Sequence, residues 1–367
     1  MWNKKQLSDV CTIKKGSQVN RTALSHSGDY YVLNGGMEPS GYLDRYNTEA
    51  NTISISEGGN SCGYVAYNTE PFWSGGHNYT LSELEIEKLY LYYFLKCNES
   101  KIMNLRVGSG LPNIQRKMVE AFPVYYPVDI KEQRRIAAVL TAADETITAS
   151  RALVEKYSAV KQGLMQDIFG KSELVRLDSG IVQINPYCRE RRPDLFYYID
   201  LEAVIAGEIT KDVIVSRKEA PSRAQRLLKP NDILFQTVRP YQQNNYLFRK
   251  ERELKTVAST GYAQIRTDNN AVYMYYALHQ NDFVREVNNR STGSNYPAIN
   301  PSELGKCSIR FDADRAKQDE IAQILTTADE RLTAERERLR KLEDIKRGLM
   351  DDLLTNRIST DLLQGGN

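Results

Sequence analysis

Two long stretches of this chain space their seam residues by fours and threes in alternation. Ile136, Leu140, Ala143, Ile147, Ser150, Val154, Tyr157, Lys161, Leu164 and Ile168 form the first series. Ile321, Leu325, Ala328, Leu332, Glu335, Leu339, Leu342, Lys346, Leu349 and Leu353 form the second. A mean period of 3.5 residues held this long predicts two amphipathic helices with coiled-coil seams. Polar residues interrupt both seams at matching places, Ser150 with Glu335 and Lys161 with Lys346, and such positions fix register. Asp129 and Asp314 stand where N-caps belong, and Glu132 completes a capping box in the first copy. At 1.5 Å per residue each helix is about 55–60 Å long. The rest of the chain has a different rhythm. Thr52-Ile53-Ser54-Ile55-Ser56 alternates with period two, and Asp232-Ile233-Leu234-Phe235 reads as a buried strand after the Pro230-Asn231 turn. Glycine pairs at Gly35-Gly36, Gly58-Gly59 and Gly75-Gly76 punctuate the first region. Leu84–Leu95 and Val272–Val287 read as shorter helices.

The two long helices are copies. Gln133-Arg134-Arg135-Ile136-Ala137-Ala138-Val139-Leu140-Thr141-Ala142-Ala143-Asp144-Glu145 aligns without a gap on Gln318-Asp319-Glu320-Ile321-Ala322-Gln323-Ile324-Leu325-Thr326-Thr327-Ala328-Asp329-Glu330. The match continues from Lys161-Gln162-Gly163-Leu164-Met165 to Lys346-Arg347-Gly348-Leu349-Met350, with roughly half of the positions between Gln133 and Asp167 identical. The same offset pairs Gly108-Ser109 with Gly293-Ser294 and, after a small gap, Tyr90-Leu91-Tyr92-Tyr93 with Tyr273-Met274-Tyr275-Tyr276. The chain is therefore one unit written twice, a mixed α/β half followed by a long helix. The paired Gly163 and Gly348 each cost about 1 kcal/mol in a helix relative to alanine; they read either as a fraying C-terminal turn or as close approach of another backbone, which the repetition of Gly-Leu-Met in both copies slightly favours.

Composition narrows the chemistry. The 367 residues suffice for two or three domains, and 41% hydrophobic with 26% charged residues excludes a disordered or fibrous protein. No apolar run reaches the roughly 18 residues of a membrane span, and no signal core follows Met1-Trp2-Asn3-Lys4-Lys5, so a cytoplasmic protein is expected. The five cysteines are scattered and the three histidines stand apart, leaving little material for disulfides, metal sites or histidine acid–base chemistry. Net charge is +2. Residues 1–130 carry 12 basic against 13 acidic residues and 171–315 carry 22 against 18, so the second half is the more basic. No Pro-Pro occurs, which removes the active-site loop a DNA methyltransferase needs, and there is neither a Gly-x-Gly-x-x-Gly turn nor a Walker lysine. A nuclease pattern from Pro193-Asp194 and Glu253-Leu254-Lys255 is loose enough to arise by chance. No catalytic, cofactor-binding or metal-binding residue is assigned.

The doubled Gln-x-x-Ile-Ala-x-x-Leu-x-x-x-Asp motif ending in Lys-x-Gly-Leu-Met, with Asp232-Ile233-Leu234-Phe235 and Arg239-Pro240 in the second half, resembles the specificity subunit of Type I restriction–modification enzymes. The resemblance covers essentially the whole chain, although Thr52–Asn60 matches the Asp-Ile-Leu-Phe region only loosely. It implies an α/β fold of two mixed target-recognition domains, 1–128 and 171–313. Two conserved helical regions, 129–170 and 314–357, would join them as long antiparallel coiled-coil helices, with 358–367 as a tail. It implies a non-catalytic reader of double-stranded DNA in phage defence. Two methyltransferase subunits and restriction/translocase subunits would dock on it, with S-adenosylmethionine, ATP and Mg held by those partners and no cofactor in this chain.

Two related units pack most simply about a pseudo-twofold axis. Antiparallel helices would then hold the readers at opposite ends, and helix length would measure the spacer of a bipartite, asymmetric target. Half-sites one DNA turn apart lie about 34–36 Å from each other, within the reach of such helices. Candidate DNA contacts in the first half are Lys14, Lys15, Gln18 and Arg21, then Ser109, Asn113, Gln115 and Arg116. In the second half Arg189, Arg191 and Arg192 suit phosphate. Arg239, Tyr241, Gln242, Gln243, Asn244, Asn245, Asn295 and Tyr296 suit base edges. The helix–helix or partner interface is expected at Ile136, Leu140, Ile147, Val154, Tyr157, Lys161, Gly163 and Leu164, and at Ile321, Leu325, Leu332, Leu339, Leu342, Lys346, Gly348 and Leu349. The alternatives are a coiled-coil scaffold without a DNA role and a self-contained restriction or modification enzyme.

Overall fold

Both long helices form where the heptads place them, as Ile130–Phe169 and Arg315–Leu354, each of 40 residues. Asp129 caps the first, its Oδ1 accepting from the Lys131 N–H at 2.9 Å, and Asp314 caps the second through the Ala316 N–H at 3.0 Å. The protein is described here from a computed structural model that places residues 1–108, 110, 112–355 and 357. It divides into two units: Met1–Arg151 with the chain from Glu337 onward, and Ala152–Arg336. Each unit thus contains part of both helices.

In the first unit an antiparallel sheet runs in the order Thr12–Lys15, Asn78–Ser82, Thr52–Ser56, Val65–Asn68. A smaller sheet, Tyr42–Leu43, Tyr30–Leu33, Trp73–Ser74, contains one parallel pair. Trp2–Gln6 pairs with Pro123–Pro127. The alternating strand Thr52–Ser56 buries Ile53 and Ile55, as its pattern predicts, but Ser54 and Ser56 are buried too. Their hydroxyls are satisfied: Ser54 Oγ accepts from Asn68 Nδ2 at 3.0 Å, and Ser56 Oγ donates to the Gly35 carbonyl at 2.7 Å. A strand covered on both faces tolerates small polar residues only on these terms.

The second unit repeats the plan. Gln183–Ile184, Tyr262–Arg266, Asp232–Gln236 and Tyr246–Phe248 form the equivalent antiparallel sheet. A further sheet, Val213–Ser216, Leu195–Ile199, Thr256–Ser259, Ala224–Leu227, has a parallel central pair. Glu173–Arg176 pairs with Ser308–Phe311. The mixed α/β character expected of both halves is present. Asp232, fully buried, accepts from Arg266 through both oxygens at 2.7 Å, and from Gln264 Nε2 and the Lys229 N–H at 2.7 Å each. Four donors make this buried carboxylate tolerable.

The helix expected over Val272–Val287 is broken into Ala271–Ala277 and Asn281–Arg290. Gln280 causes the break. Its side chain donates to the Arg310 carbonyl at 2.9 Å and accepts from the Arg310 N–H at 3.1 Å, holding its backbone extended. In the first half the helix starts at Lys88 and ends at Cys97.

The repeated helix motif has a physical explanation within each unit. Gln133 is buried; its Oε1 accepts from the Glu87 N–H and its Nε2 donates to the Pro127 carbonyl, both at 2.8 Å. Gln318 does the same for the Asn270 N–H at 3.0 Å and the Asp312 carbonyl at 2.8 Å. The motif aspartate and lysine complete the pattern crosswise. In the first unit Asp144 accepts from the Tyr93 hydroxyl at 3.0 Å and pairs with Lys346 at 2.5 Å. In the second, Asp329 accepts from Tyr276 at 2.7 Å and pairs with Lys161 at 2.5 Å. Each lysine also lies over its tyrosine ring. Burial, followed by interactions that include the hydrogen-bonded aspartate, pushes both phenols well above the ordinary tyrosine range.

These contacts give the helix direction inside each unit. Ile136 and Leu140 share a core with Leu349, Leu353 and Leu354, and Arg151 pairs with Glu343 at 2.6 Å, so the two segments are antiparallel. In the second unit Leu164, Ile168 and Phe169 pack with Ile321, Ala322 and Leu325, again antiparallel. Ile147 and Leu332 are buried, while Val154, Tyr157, Leu339 and Leu342 are half-buried. Gly163 and Gly348 correct the close-approach reading: both are exposed, and a Cβ built on either meets nothing within 4 Å among the described residues.

Candidate nucleic-acid interface

The loops that the Gly-Ser motif marks are closed by the same two backbone bonds in each half. Val107 and Asn113 exchange N–H···O bonds of 2.8 and 3.0 Å, and Thr292 and Ala298 exchange two of 2.9 Å. Each loop is then tied to the end of the central strand. In the first half the Ile114 N–H donates to the Glu57 carbonyl at 2.8 Å and the Gly59 N–H to the Pro112 carbonyl at 3.0 Å. In the second the Ile299 N–H donates to Thr237 at 3.0 Å and the Arg239 N–H to Pro297 at 2.7 Å. Gly58 bridges Asn113 as Val238 bridges Ala298. Strand Thr52–Ser56 is thus the counterpart of Asp232–Gln236, which their loose sequence match concealed.

Different side chains occupy these equivalent tips. In the first half Glu57 is nearly buried, its Oε1 accepting from Lys15 Nζ at 2.6 Å and the Tyr79 hydroxyl at 2.9 Å. Its Oε2 has no hydrogen bond, and His77 Nδ1 stands 3.5 Å from the carboxylate. Sequence reading missed Glu57, His77 and Tyr79; the signal was Glu57 standing directly before Gly58-Gly59. In the second half Arg239 takes Gly59's place. It is held at φ 55°, a left-handed conformation that an arginine adopts at a cost. Its guanidinium lies 4.4 Å from the centre of the Tyr296 ring, and its buried Nε has no partner. Tyr241 is 53% and Tyr296 67% exposed, which leaves two aromatic faces beside the arginine.

The other polar residues of this turn brace it. Gln236 Nε2 donates to Gln242 Oε1 at 2.9 Å, and Gln236 Oε1 accepts from the Asn244 N–H at 3.0 Å. Asn244 Oδ1 accepts from the Ala206 N–H at 3.2 Å, and Gln243 is left-handed at φ 53°. Asn245, proposed above as a contact, is buried. Its Oδ1 accepts from the Gln236 N–H at 2.8 Å and its Nδ2 meets His279 Nε2 at 3.1 Å. It cannot face a duplex and acts as a strut. His279 Nδ1 lies 2.7 Å from the Tyr275 carbonyl, so Nδ1 carries the proton and Nε2 accepts from Asn245. Burial pushes the imidazole pKa down to about 4, keeping the ring neutral.

Arg192 is likewise occupied, donating to the Ala224 carbonyl and accepting from Arg217 at its own carbonyl at 3.1 Å. Arg189 and Arg191 are exposed, and Arg189 borders a shallow cavity of about 400 Å³ with Tyr187, Lys229 and Arg266. In the first half Lys14 pairs with Glu83 at 3.7 Å, Arg116 pairs with Glu120 at 2.7 Å, and Gln18 donates to the Val19 carbonyl at 3.4 Å. Arg21, Asn113 and Gln115 are exposed, as is Asn295 in the second half. Ser109 lies outside the described residues. Among the described residues no helix is long and apolar enough to cross a membrane.

Comparison with known proteins agrees with this architecture. Residues 1–156 match the family model of the Type I restriction modification DNA specificity domain. A Mycoplasma pneumoniae protein named as a type I specificity subunit is 36% identical over 157 residues, 42% of this chain and 42% of that protein. A similarly named Mycoplasma genitalium protein is 30% identical over 175 residues, 47% of this chain and 45% of the relative. The matched stretches span under half the length of both relatives. The crystal structure of a Type-I restriction-modification system S subunit from M. genitalium has the same fold, with a TM-score of 0.70 at 22% identity over 96% of each chain. A second solved structure, from work on assembly and conformational transition of the type I R-M system, gives 0.53 at 13% identity over 96% of this chain and 97% of that one.

Proposed function

We propose that this chain, whose residues 1–156 match the family model of the Type I restriction modification DNA specificity domain, is a specificity subunit that reads a bipartite DNA target for a restriction–modification complex. The observation that carries this reading is the twice-built loop crossing, one backbone scaffold presenting Glu57, His77 and Lys15 in one half and Arg239, Tyr241 and Tyr296 in the other. A shared scaffold with unlike tips suits two readers of unlike half-sites. A scaffold protein with no DNA role would have no use for that difference.

In this reading base edges are met by Arg239, Tyr241, Gln242, Gln243, Asn295 and Tyr296 in the second half, and by Lys14, Lys15, Gln18, Arg21, Asn113, Gln115 and Arg116 in the first. Arg189 and Arg191 hold phosphate. The domains are 1–128 and 171–313, with helical regions 129–170 and 314–357 separating the two readers and setting the spacer. Two modification subunits and restriction/translocase subunits dock on the chain and bring S-adenosylmethionine, ATP and Mg. The chain itself performs no chemistry and works in the cytoplasm beside the chromosome.

Methylome sequencing of a host with and without this chain tests the proposal. The expected result is loss of one modified motif made of two unequal blocks around an unread spacer. A single continuous block, or an unchanged methylome, would overturn it.

A further inference from the structure

At Arg239 the two tips differ in backbone cost as well as in side chain. At its counterpart Gly59, φ is +78° and glycine carries no penalty. Arginine in the same left-handed region costs on the order of 1–3 kcal/mol. The surroundings over-determine it. The Arg239 N–H is bound by Pro297, its carbonyl accepts from the Gln242 N–H at 3.0 Å, and the following Pro240 is buried. The side chain gains little inside the protein. Among the described residues no carboxylate lies within ion-pair distance of it, its Nε is buried without a partner, and its guanidinium stacks on the exposed Tyr296 ring. A strained, clamped arginine with no anion and a pre-set guanidinium plane is built to meet something outside the chain.

We infer that Arg239, oriented by Tyr296, reads a single guanine of double-stranded DNA through a bidentate contact to O6 and N7 in the major groove. The planar fork of arginine matches these two acceptors, and stacking on an aromatic ring fixes the fork's plane before binding. Gly59 offers no such group, so the first half has no equivalent guanine contact at the matching place. This inference rests on the DNA-reading proposal above and adds the identity of one base pair to it.

The test is selection from a pool of random-sequence duplexes by the full chain, alone and with its modification subunits, using wild type, Arg239→Gly and Arg239→Lys. Wild type is expected to recover a motif with a fixed guanine in one block. Arg239→Gly and Arg239→Lys are expected to lose the preference at that one base pair by about 10- to 100-fold while every other position stays selected. Arg239→Gly is also expected to melt at or above the wild-type temperature, because glycine relieves the left-handed strain. A lower melting temperature would overturn the strain argument and the inference with it. If wild type selects no motif, the DNA-reading proposal itself fails. If a motif is recovered and both variants keep it intact, DNA reading stands and the guanine contact is refuted. Uniform weakening across all sequences, with a shallower salt dependence, would make Arg239 a phosphate contact and equally refute it.

Discussion

Buried polar side chains do most of the specifying at the scale of single residues. Asp232 has no exposed surface and its only charged partner among the described residues is the bidentate Arg266. Asp232→Ala strands Arg266, and we expect a loss of about 3–5 kcal/mol in urea unfolding, partly recovered by adding Arg266→Met. His279 makes stability depend on pH. Its folded pKa is about 4, below the ordinary 6.5. The unfolded chain therefore takes up a proton that the native one refuses, so this contribution is complete above pH 6.5 and lost as pH falls toward 4. Across that window the wild type should lose about 1.4 kcal/mol per pH unit relative to His279→Gln, read from melts at stepped pH. Neither residue's role was legible in the sequence. Asp232 stood out as the start of a strand motif, but its partner lies 34 residues on. His279 was one of three scattered histidines, and its neutral state depends on Tyr275 and Asn245 closing around it. Asn245 itself was misread because amides suit adenine edges and backbone bracing equally well.

Among the elements, the long helices were the most legible, since seam periodicity and aspartate caps are local signals. Strands Thr52–Ser56 and Asp232–Gln236 were visible separately, whereas their equivalence was not: Glu57-Gly58-Gly59 and Thr237-Val238-Arg239 share hydrogen bonds but no side chains. The broken helix near Gln280 was missed for the reverse reason, because a glutamine that pairs with a strand backbone looks like any helix former. The glycines of the helix motif yield a sharp expectation. With open space around both positions, Gly163→Ala and Gly348→Ala should each raise stability by about 1 kcal/mol, additively, in thermal or denaturant unfolding. A loss at either site would mean that a backbone does approach there.

For the whole molecule, the uneven charge predicts where electrostatics matter. The second half carries the excess of basic residues, with Arg189 and Arg191 exposed. Replacing either by alanine should reduce the slope of log affinity against log salt by about 1 on every duplex, without altering the selected motif. The duplication itself was plain in the sequence, but the crosswise pairing was not. An alignment sets Asp144 beside Asp329, and only folding puts Lys346 on one and Lys161 on the other. That exchange has a consequence for how the protein is made. The unit Ala152–Arg336 is continuous, so it can close as soon as it leaves the ribosome. The amino-terminal unit, although synthesised first, must wait for Lys346 and for Leu353 and Leu354, only 1% and 2% exposed in its core. Translation thus completes the two halves in the reverse of their order along the messenger, and a ribosome stalled near residue 336 would leave the earlier half with an unsealed apolar face.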